Sequence, residues 1–281
     1  MQIRILAGSI LSLLCAAAPA AADQARSFTT LAYATTVAGL TVMMTEADVE
    51  MTNTGYRVDI ATRTAGTYGL LFRGETRTLA MGMWAGNMVA PQRYAVSGNW
   101  RGTPRRTLMD YNTSQPEILR LEPPNADERE PVPAALQRDT IDTISAAALL
   151  TRQATLTSSC DGSTRTFDGR RLFEVTSRTG GWESAATDPA WASFGSVLRC
   201  NFEGRMLAGF LMDGDRDAAA RPQRGTAWLA RVAPEAPLLP VRIAFEIRWL
   251  GAATMSLVAA RPEGAPLVRQ RADAEAAPLR R

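Results

Sequence analysis

The chain contains neither histidine nor lysine, so all 31 of its basic residues are arginine. Without histidine, a Ser-His-Asp or Cys-His catalytic arrangement and a histidine metal site are excluded. Without lysine, the chain has no Schiff-base residue, no P-loop lysine and no Ser-Lys nucleophile. The Gly-x-Ser-x-Gly sequence of an esterase is missing as well. The sequence therefore predicts no catalytic residues, no cofactor and no metal site, and we expect a protein that is not an enzyme.

Charge of one sign is not concentrated anywhere in the chain. The 31 arginines are nearly balanced by 28 acidic residues, and the formal net charge is +3. A nucleic-acid-binding surface is marked by basic residues clustered on one face. Here the arginines mostly stand one or two at a time among acids, so we expect no nucleic-acid partner.

The first 22 residues have the three parts of a secretory signal peptide. Arg4 supplies the positive start, residues 5–14 form the apolar run, and three alanines ending at Ala22 precede the expected cleavage before Asp23. The apolar run is shorter than the ~20 residues that span a bilayer, which favours cleavage over a membrane anchor. Lipid attachment at Cys15 is disfavoured because a leucine precedes it. We expect a periplasmic protein that does not span the membrane.

Two cysteines remain after the signal peptide, Cys160 and Cys200. In an oxidising compartment an even pair is most simply read as one disulfide. The bridge would close a loop of about 40 residues and contribute about 4 kcal/mol in the chain-entropy model. Two separate buried thiols are the alternative. A redox-active pair is disfavoured because no Cys-x-x-Cys spacing occurs.

Most of the remaining sequence alternates apolar and polar residues, which predicts β-strands. The clearest strand is residues 240–250, where Val241, Ile243 and Phe245 fall on one face. Residues 197–202 and 206–211 are predicted as separate strands, and Gly180-Gly181 as the start of a long polar excursion.

One helix is predicted, capped by Asp142 or Thr140 and ending near Gln153. About a dozen strands with one helix predict a mainly β fold. In it, a large curved antiparallel sheet forms an open or spiral barrel with one covering helix. We expect one domain over residues 23–260 and a disordered tail over 261–281.

Several acidic residues have spacings that occur in functional sites. The Asp213-Gly-Asp-Arg-Asp217 segment begins like a calcium loop, but Ala218 and Arg224 stand where glycine and glutamate are needed, which favours a solvated turn. Asp139 and Asp142 could pair for acid-base chemistry, although helix capping already explains Asp142. The six tryptophans could line an apolar cavity, but ordinary packing is favoured for each.

An ordered series of short motifs resembles a family of uncharacterised periplasmic proteins of Gram-negative bacteria, known only as a domain of unknown function. The resemblance spans roughly residues 30–260. The motifs are Tyr33…Val37-Ala38-Gly39, Gly55-Tyr56, Thr64-Ala-Gly-Thr-Tyr-Gly-Leu70, Pro91-Gln-Arg-Tyr94, Asp142-Thr-Ile-Ser145, Phe167-Asp-Gly-Arg170, Cys200…Ala208-Gly209-Phe210 and Leu239-Pro240-Val241-Arg242-Ile243. The family is similar in architecture to lipoprotein-carrier barrels, which implies a ligand-holding or partner-holding role by analogy of fold.

Three functional hypotheses follow. The first is a non-catalytic envelope protein that holds an apolar ligand, a lipid or an acylated chain, in its curved sheet. The second is a module that binds an envelope protein or the cell wall, for example along a free sheet edge. The third is a hydrolase that uses carboxylates alone, which requires two acids converging at ~5–9.5 Å.

Overall fold

The computed structural model describes residues 26–71, 73–100, 102–112, 115–185, 192–247, 251–264 and 268–269. The expected signal peptide, with its cleavage between Ala22 and Asp23, lies outside these ranges, and so do residues 270–281. Among the described residues, no helix has the length and apolar character needed to cross a bilayer.

Fourteen strands occur within the described ranges. They are β1 (Arg26–Val37), β2 (Leu40–Thr52), β3 (Gly55–Thr64), β4 (Gly74–Ala85), β5 (Met88–Trp100), β6 (Thr103–Asp110), β7 (Glu117–Glu122), β8 (Gly162–Phe167), β9 (Leu172–Ser184), β10 (Ser196–Ala208), β11 (Gln223–Arg231), β12 (Leu238–Ile247), β13 (Gly251–Pro262) and β14 (Val268–Arg269). The four α-helices described are α1 (Gly66–Leu71), α2 (Ala134–Gln137), α3 (Thr143–Thr157) and α4 (Arg216–Ala219).

The strands form one antiparallel sheet in the order β7-β6-β5-β4-β3-β2-β1-β13-β12-β11-β10-β9-β8, with β14 paired to β13. Two up-and-down meanders, β1 to β7 and β8 to β13, are therefore joined where β1 pairs with β13. A sheet this wide must coil to bury its apolar face. The prediction of a mainly β fold with a curved sheet and a covering helix is confirmed.

Two predicted strand breaks do not occur. The segments 197–202 and 206–211 were expected as separate strands, but β10 is continuous because Gly204 keeps its register with Val175 and Gln223. The glycines at 180 and 181 do not end β9, which continues to Ser184. The register between β9 and β10 shifts at this point, and Gly181 has a φ of +93°. The glycine pair therefore forms a β-bulge, where a left-handed residue is needed.

Helix α3 begins where the sequence predicts and ends later. The Asp142 side chain caps it by accepting hydrogen bonds from the backbone N–H groups of Ile144 and Ser145. The helix continues past Gln153 to Thr157, and the hydroxyls of Thr155 and Thr157 donate to carbonyls one turn earlier. Its buried residues, Ser145, Ala148, Thr151 and Ala154, form one stripe. That stripe packs against the inner face of the sheet, which is defined here as the face that carries Leu31, Val58 and Val241.

The two ends of the sheet meet where the turn between β8 and β9 packs against β6 and β7. Gly169 in this turn has a φ of +87°, and its Cα lies so close to β6 and β7 that a Cβ there would contact Thr107 Cγ2 at 2.7 Å. Only glycine tolerates both this backbone conformation and this approach. We call the region the seam. Strand β13 continues to Pro262 and pairs with β14, so described structure extends beyond the predicted start of the tail at residue 261.

Candidate functional site

The N-terminus of α3 is held to the sheet by a buried chain of polar side chains. Asp142 and Ser145 are both fully buried. The Ser145 hydroxyl donates to Asp142 Oδ2 and accepts from the Tyr56 hydroxyl on β3, each at 2.5 Å. The Tyr56 ring in turn packs against Trp84 at a centroid distance of 5.0 Å. One continuous network therefore joins the helix cap to β3 and β4.

Burial controls the protonation of these groups. Desolvation raises the pKa of the Asp142 carboxyl, although hydrogen bonds from Ser145 and from backbone N–H groups oppose the shift. Desolvation also raises the pKa values of Tyr56, Tyr94 and Tyr111, and the Asp142 carboxylate adds to each shift. These three phenols therefore remain neutral at physiological pH. The Tyr56 hydroxyl donates to Ser145, whereas the Tyr111 hydroxyl is buried without a hydrogen-bond partner.

Beyond the tyrosines, six charged side chains lie close together at the seam, and we call them the arginine cluster: Arg105, Glu128, Arg129, Asp168, Arg170 and Arg171. Arg105 forms a bidentate pair with Glu128 at 2.7 and 2.8 Å. Arg171 pairs with Asp168 at 2.7 Å. Arg129 donates instead to the Gly209 carbonyl, and Arg170 donates to the Glu122 carbonyl. The cluster therefore contains four cations and two anions.

The helix covers only part of the inner face. Along β12, Val241 is completely buried in the core, whereas Phe245, four residues further along the strand and on the same face, is 40% exposed. Strand register continues this uncovered surface from Phe245 through Gly225 to Phe202. On the same face, the partly buried Ile243 and Met255 lie side by side, and register continues through the buried Thr35 on β1 to the partly buried Met43. We call this region the open half.

The opposite wall of the open half is lined with threonine. Register places Thr45, Thr62 and Thr76 side by side on β2, β3 and β4, and Thr45 and Thr62 are joined by a hydrogen bond of 3.1 Å. The same row continues to Gly98 on β5 and then to Arg105 on β6. The open half is thus apolar on one wall, weakly polar on the other, and bounded at the seam by the arginine cluster.

Two grooves cross the sheet. One, of about 590 Å³, crosses β9 to β13, and its lining combines the charged Arg178, Glu203, Arg224 and Glu246 with Phe202 and Phe245 of the open half. The other, of about 390 Å³, crosses β1 to β6, and its lining includes the threonine row. Charges of both signs alternate along each groove, as is usual for a solvated sheet face.

The structure brings Cys160 and Cys200 close together, with their Cα atoms 5.8 Å apart. Cys160 follows the end of α3 and Cys200 lies on β10, so the pair lies at disulfide distance beneath the C-terminal end of the helix. Asp142 caps α3, as predicted, whereas Asp139 is exposed and has no part in the network. Asp215 caps the short helix α4, in agreement with a turn. No group of three or more acidic or cysteine residues within the described ranges is arranged to hold a metal.

The tryptophans whose side chains the structure describes, Trp84, Trp182 and Trp228, are not part of the open half. Trp84 packs on Tyr56 and donates to the Thr52 carbonyl. Trp228 faces outward, where it donates to Glu183 and lies beneath Arg242. Trp182 is half exposed on β9. The ordinary packing favoured by the sequence agrees with these positions.

Sequence reasoning did not identify Tyr56, Tyr94, Ser145 or the arginine cluster as parts of one region. Four of the eight motifs that carried the family resemblance have a member here: Gly55-Tyr56, Pro91–Tyr94, Asp142–Ser145 and Phe167–Arg170. Their convergence depends on the closure of the barrel, which places strands far apart in sequence side by side.

The family described as "Protein of unknown function (DUF3108)" matches residues 29–258. No curated protein matches the chain. Among solved structures, a β-barrel-like protein of the domain of unknown function DUF1849 from Brucella abortus is similar in fold, with a TM-score of 0.52 and 11% sequence identity over 85% of this chain and 99% of that one. At this identity the similarity concerns the fold alone.

Proposed function

The chain belongs to the DUF3108 family of proteins of unknown function, and from its geometry we propose that it is a non-catalytic periplasmic protein that holds an apolar ligand. The ligand, a lipid or an acylated chain, occupies the open half of the curved sheet. The change from a buried Val241 to a 40% exposed Phe245 on one face of β12 is the observation that carries this proposal.

An uncovered apolar inner face is costly unless something covers it. Burying a side chain of the size of phenylalanine or isoleucine contributes ~1.5–3 kcal/mol. Phe202, Ile243, Phe245, Met255 and Met43 are neighbours across six strands and are all incompletely buried. Because a ligand with a flexible apolar chain would cover them together, the arrangement suits a binding wall better than a finished core.

The hydrogen bonds of the carboxylates in this region support a non-catalytic role. Asp142 accepts three hydrogen bonds that hold the helix. Asp168 accepts from two backbone N–H groups and from Arg171, and Glu128 is held by both guanidinium nitrogens of Arg105. Each carboxylate is therefore committed to a structural partner and is poorly placed to transfer protons to a substrate.

A periplasmic location is supported by two independent features. The N-terminal segment up to Ala22 has the pattern of a secretory signal, and cleavage would begin the mature chain at Asp23. The Cys160–Cys200 pair at disulfide distance suits an oxidising compartment. We include the bridge between them in the proposal.

Binding of a neutral fluorescent probe, N-phenyl-1-naphthylamine, tests the proposal. We expect saturable binding to the wild-type chain and affinity lowered about tenfold or more by Phe245→Glu, which puts a charge on the apolar wall. Thr226→Glu is the matched control because Thr226 lies on the outer face of the neighbouring strand. No saturable binding by the wild type, or equal losses in both variants, would contradict the proposal.

A free sheet edge favours a second candidate function. Strand β7 has β6 on one side and, among the described residues, no strand on the other. Two apolar residues on this edge, Ile118 and Leu119, are 37% and 49% exposed. An extended segment of an envelope protein could add to such an edge. Site-specific crosslinking from residue 119 in intact cells tests this candidate, and the absence of any adduct would argue against it.

A further inference from the structure

Two guanidinium groups of the arginine cluster, those of Arg129 and Arg170, form no ion pair with a carboxylate of the described residues. Both acids of the cluster are already paired, Glu128 with Arg105 and Asp168 with Arg171. Arg129 and Arg170 are left with backbone carbonyls as their hydrogen-bond acceptors. With four cations and two anions, the cluster carries a formal excess of two positive charges in a partly buried place.

Hydrogen-bonding capacity in the cluster is also incompletely used. The Nη1 atom of Arg170 is buried and has no hydrogen-bond partner. The neighbouring Asn125 side chain donates to the Arg170 carbonyl, while its own Oδ1 is buried without a partner. A buried guanidinium donor without an acceptor is unfavourable by several times the thermal energy. An oxyanion would supply both the missing negative charge and the missing acceptor.

The electrostatics of the two arginines agree with this geometry. Desolvation lowers the pKa of the Arg129 and Arg170 side chains, and the neighbouring guanidinium groups lower it further, while the Asp168 and Glu128 carboxylates oppose the shift at both. Arg171 contributes to this repulsion at Arg129, and Arg105 contributes at both. An anion bound between them would relieve the repulsion, which is a strong reason for it to bind there.

The cluster adjoins the open half. Arg105 is the inner-face residue that ends the row Thr45, Thr62, Thr76 and Gly98. At the usual strand spacing of ~4.8 Å, this row extends for about 19 Å from the cluster across the open half. A ligand chain lying along the row would thus place one of its ends at Arg105, Arg129 and Arg170.

We propose that Arg129 and Arg170 form the binding site for an oxyanion, a phosphate or a carboxylate, that is the head group of the ligand whose apolar chain occupies the open half. This inference rests on the proposed function and narrows it to anionic amphiphiles. The two arginines donate to the oxyanion, and Arg105 and Arg171 remain with their carboxylates. The walls of the open half take the chain.

Four probes distinguish binding of the head group from binding of the alkyl chain: dodecyl phosphate, laurate, dodecanol and inorganic phosphate. The affinities of the first three for the full-length protein are measured by competition with N-phenyl-1-naphthylamine, and the affinity of inorganic phosphate is measured by calorimetry. We expect dodecyl phosphate and laurate to bind at least about tenfold more tightly than dodecanol, because hydrogen bonds between ionised partners are stronger than those to a neutral hydroxyl. Inorganic phosphate should bind weakly and should lower the affinity for dodecyl phosphate more than the affinity for dodecanol.

The variant Arg129→Gln/Arg170→Gln is expected to remove the preference for anionic heads while leaving binding of dodecanol and the neutral probe unchanged. Arg178→Gln/Arg205→Gln, on exposed arginines of the outer face, is the charge-matched control. If the cluster variant does not fold, the comparison of head groups on the wild type still decides the question.

Equal affinities for dodecyl phosphate, laurate and dodecanol would overturn the head-group site alone. Failure of every amphiphile and of the neutral probe would overturn the proposed function itself. Binding of inorganic phosphate without any amphiphile would show a site for free anions and contradict the head-group assignment.

Discussion

Replacing Ser145 with alanine should loosen the covering helix more than the loss of one hydroxyl suggests. Ser145 is completely buried, and its hydroxyl is the only link between the Tyr56 phenol and the Asp142 carboxylate in the network described above. The substitution removes two hydrogen bonds and leaves the Tyr56 hydroxyl buried without a partner. Asp142 retains its two backbone donors, so the helix cap itself persists.

The magnitude follows from these groups. A hydrogen bond contributes about 1 kcal/mol net, and one to a charged group ~1.5–3, while a stranded buried hydroxyl costs ~1–3 kcal/mol. We therefore expect Ser145→Ala to lower the free energy of unfolding by about 2–4 kcal/mol. Tyr56→Phe alone should cost about 1–2 kcal/mol. In the Ser145→Ala background, Tyr56→Phe should cost almost nothing because it removes the stranded hydroxyl.

Urea unfolding of the four proteins in this double-mutant cycle, followed by circular dichroism, measures the coupling directly. We expect a coupling energy of about 1–2 kcal/mol between positions 56 and 145. Additive effects, or a loss below about 0.5 kcal/mol for Ser145→Ala, would show that the network does not hold the helix in place.

Three further predictions concern stability. Cys160→Ser/Cys200→Ser should lower the free energy of unfolding by about 4 kcal/mol, as expected for opening a loop with a sequence separation of 40. If a reductant lowers the stability of the wild type by no more than it lowers the stability of this variant, the bridge is contradicted. Because burial raises the folded-state pKa of Asp142, its contribution to stability should be present at low pH and lost as pH rises above 3.8, the ordinary pKa. Asp142→Asn should remove this part of the pH dependence in thermal melts. If the melting temperatures of the wild type and the variant change with pH in parallel, the assignment is refuted. Gly169→Ala should lower the free energy of unfolding by about 1–3 kcal/mol, since it adds a Cβ at positive φ against Thr107. An unchanged unfolding midpoint would argue against a closed seam.

The strand pattern could be predicted because one face of nearly every strand is buried. In β12, alternating apolar residues indicated the inner face correctly, although the strand begins at Leu238 and ends at Ile247. Glycine caused the main errors. The sequence predicts a gap at residues 203–205, which include Gly204, and a polar excursion that begins at Gly180-Gly181, yet these glycines lie inside long strands because their neighbours supply enough paired hydrogen bonds. Local propensity alone does not contain that information.

Helix α3 was also predictable only in part. Its start was predictable because an aspartate before Thr143 can satisfy the first free N–H groups. Its end was not, because the threonines after Gln153 disfavour a helix locally but are retained by bonds to the preceding turn. The packing of the helix beside Cys160 also holds its last turns against the sheet.

The candidate site was the least predictable part. The absence of histidine and lysine pointed away from catalysis, but nothing in the spacing of Arg105, Arg129 and Arg170 indicated that they meet. They come together only because the β8–β9 turn closes against β6 and β7 and because Arg129 pairs with Leu211 across the barrel. Long-range closure of this kind leaves no periodic signal in a single sequence.

Native mass spectrometry of the full chain, purified from an envelope fraction without detergent exchange, tests the central claim most directly. We predict a population with an added mass that organic extraction identifies as a lipid or an acylated chain, and that Phe245→Glu reduces while Thr226→Glu does not. A protein that carries no added mass in any of the three forms, and that also fails to bind N-phenyl-1-naphthylamine, would contradict the claim that the open half holds an apolar ligand.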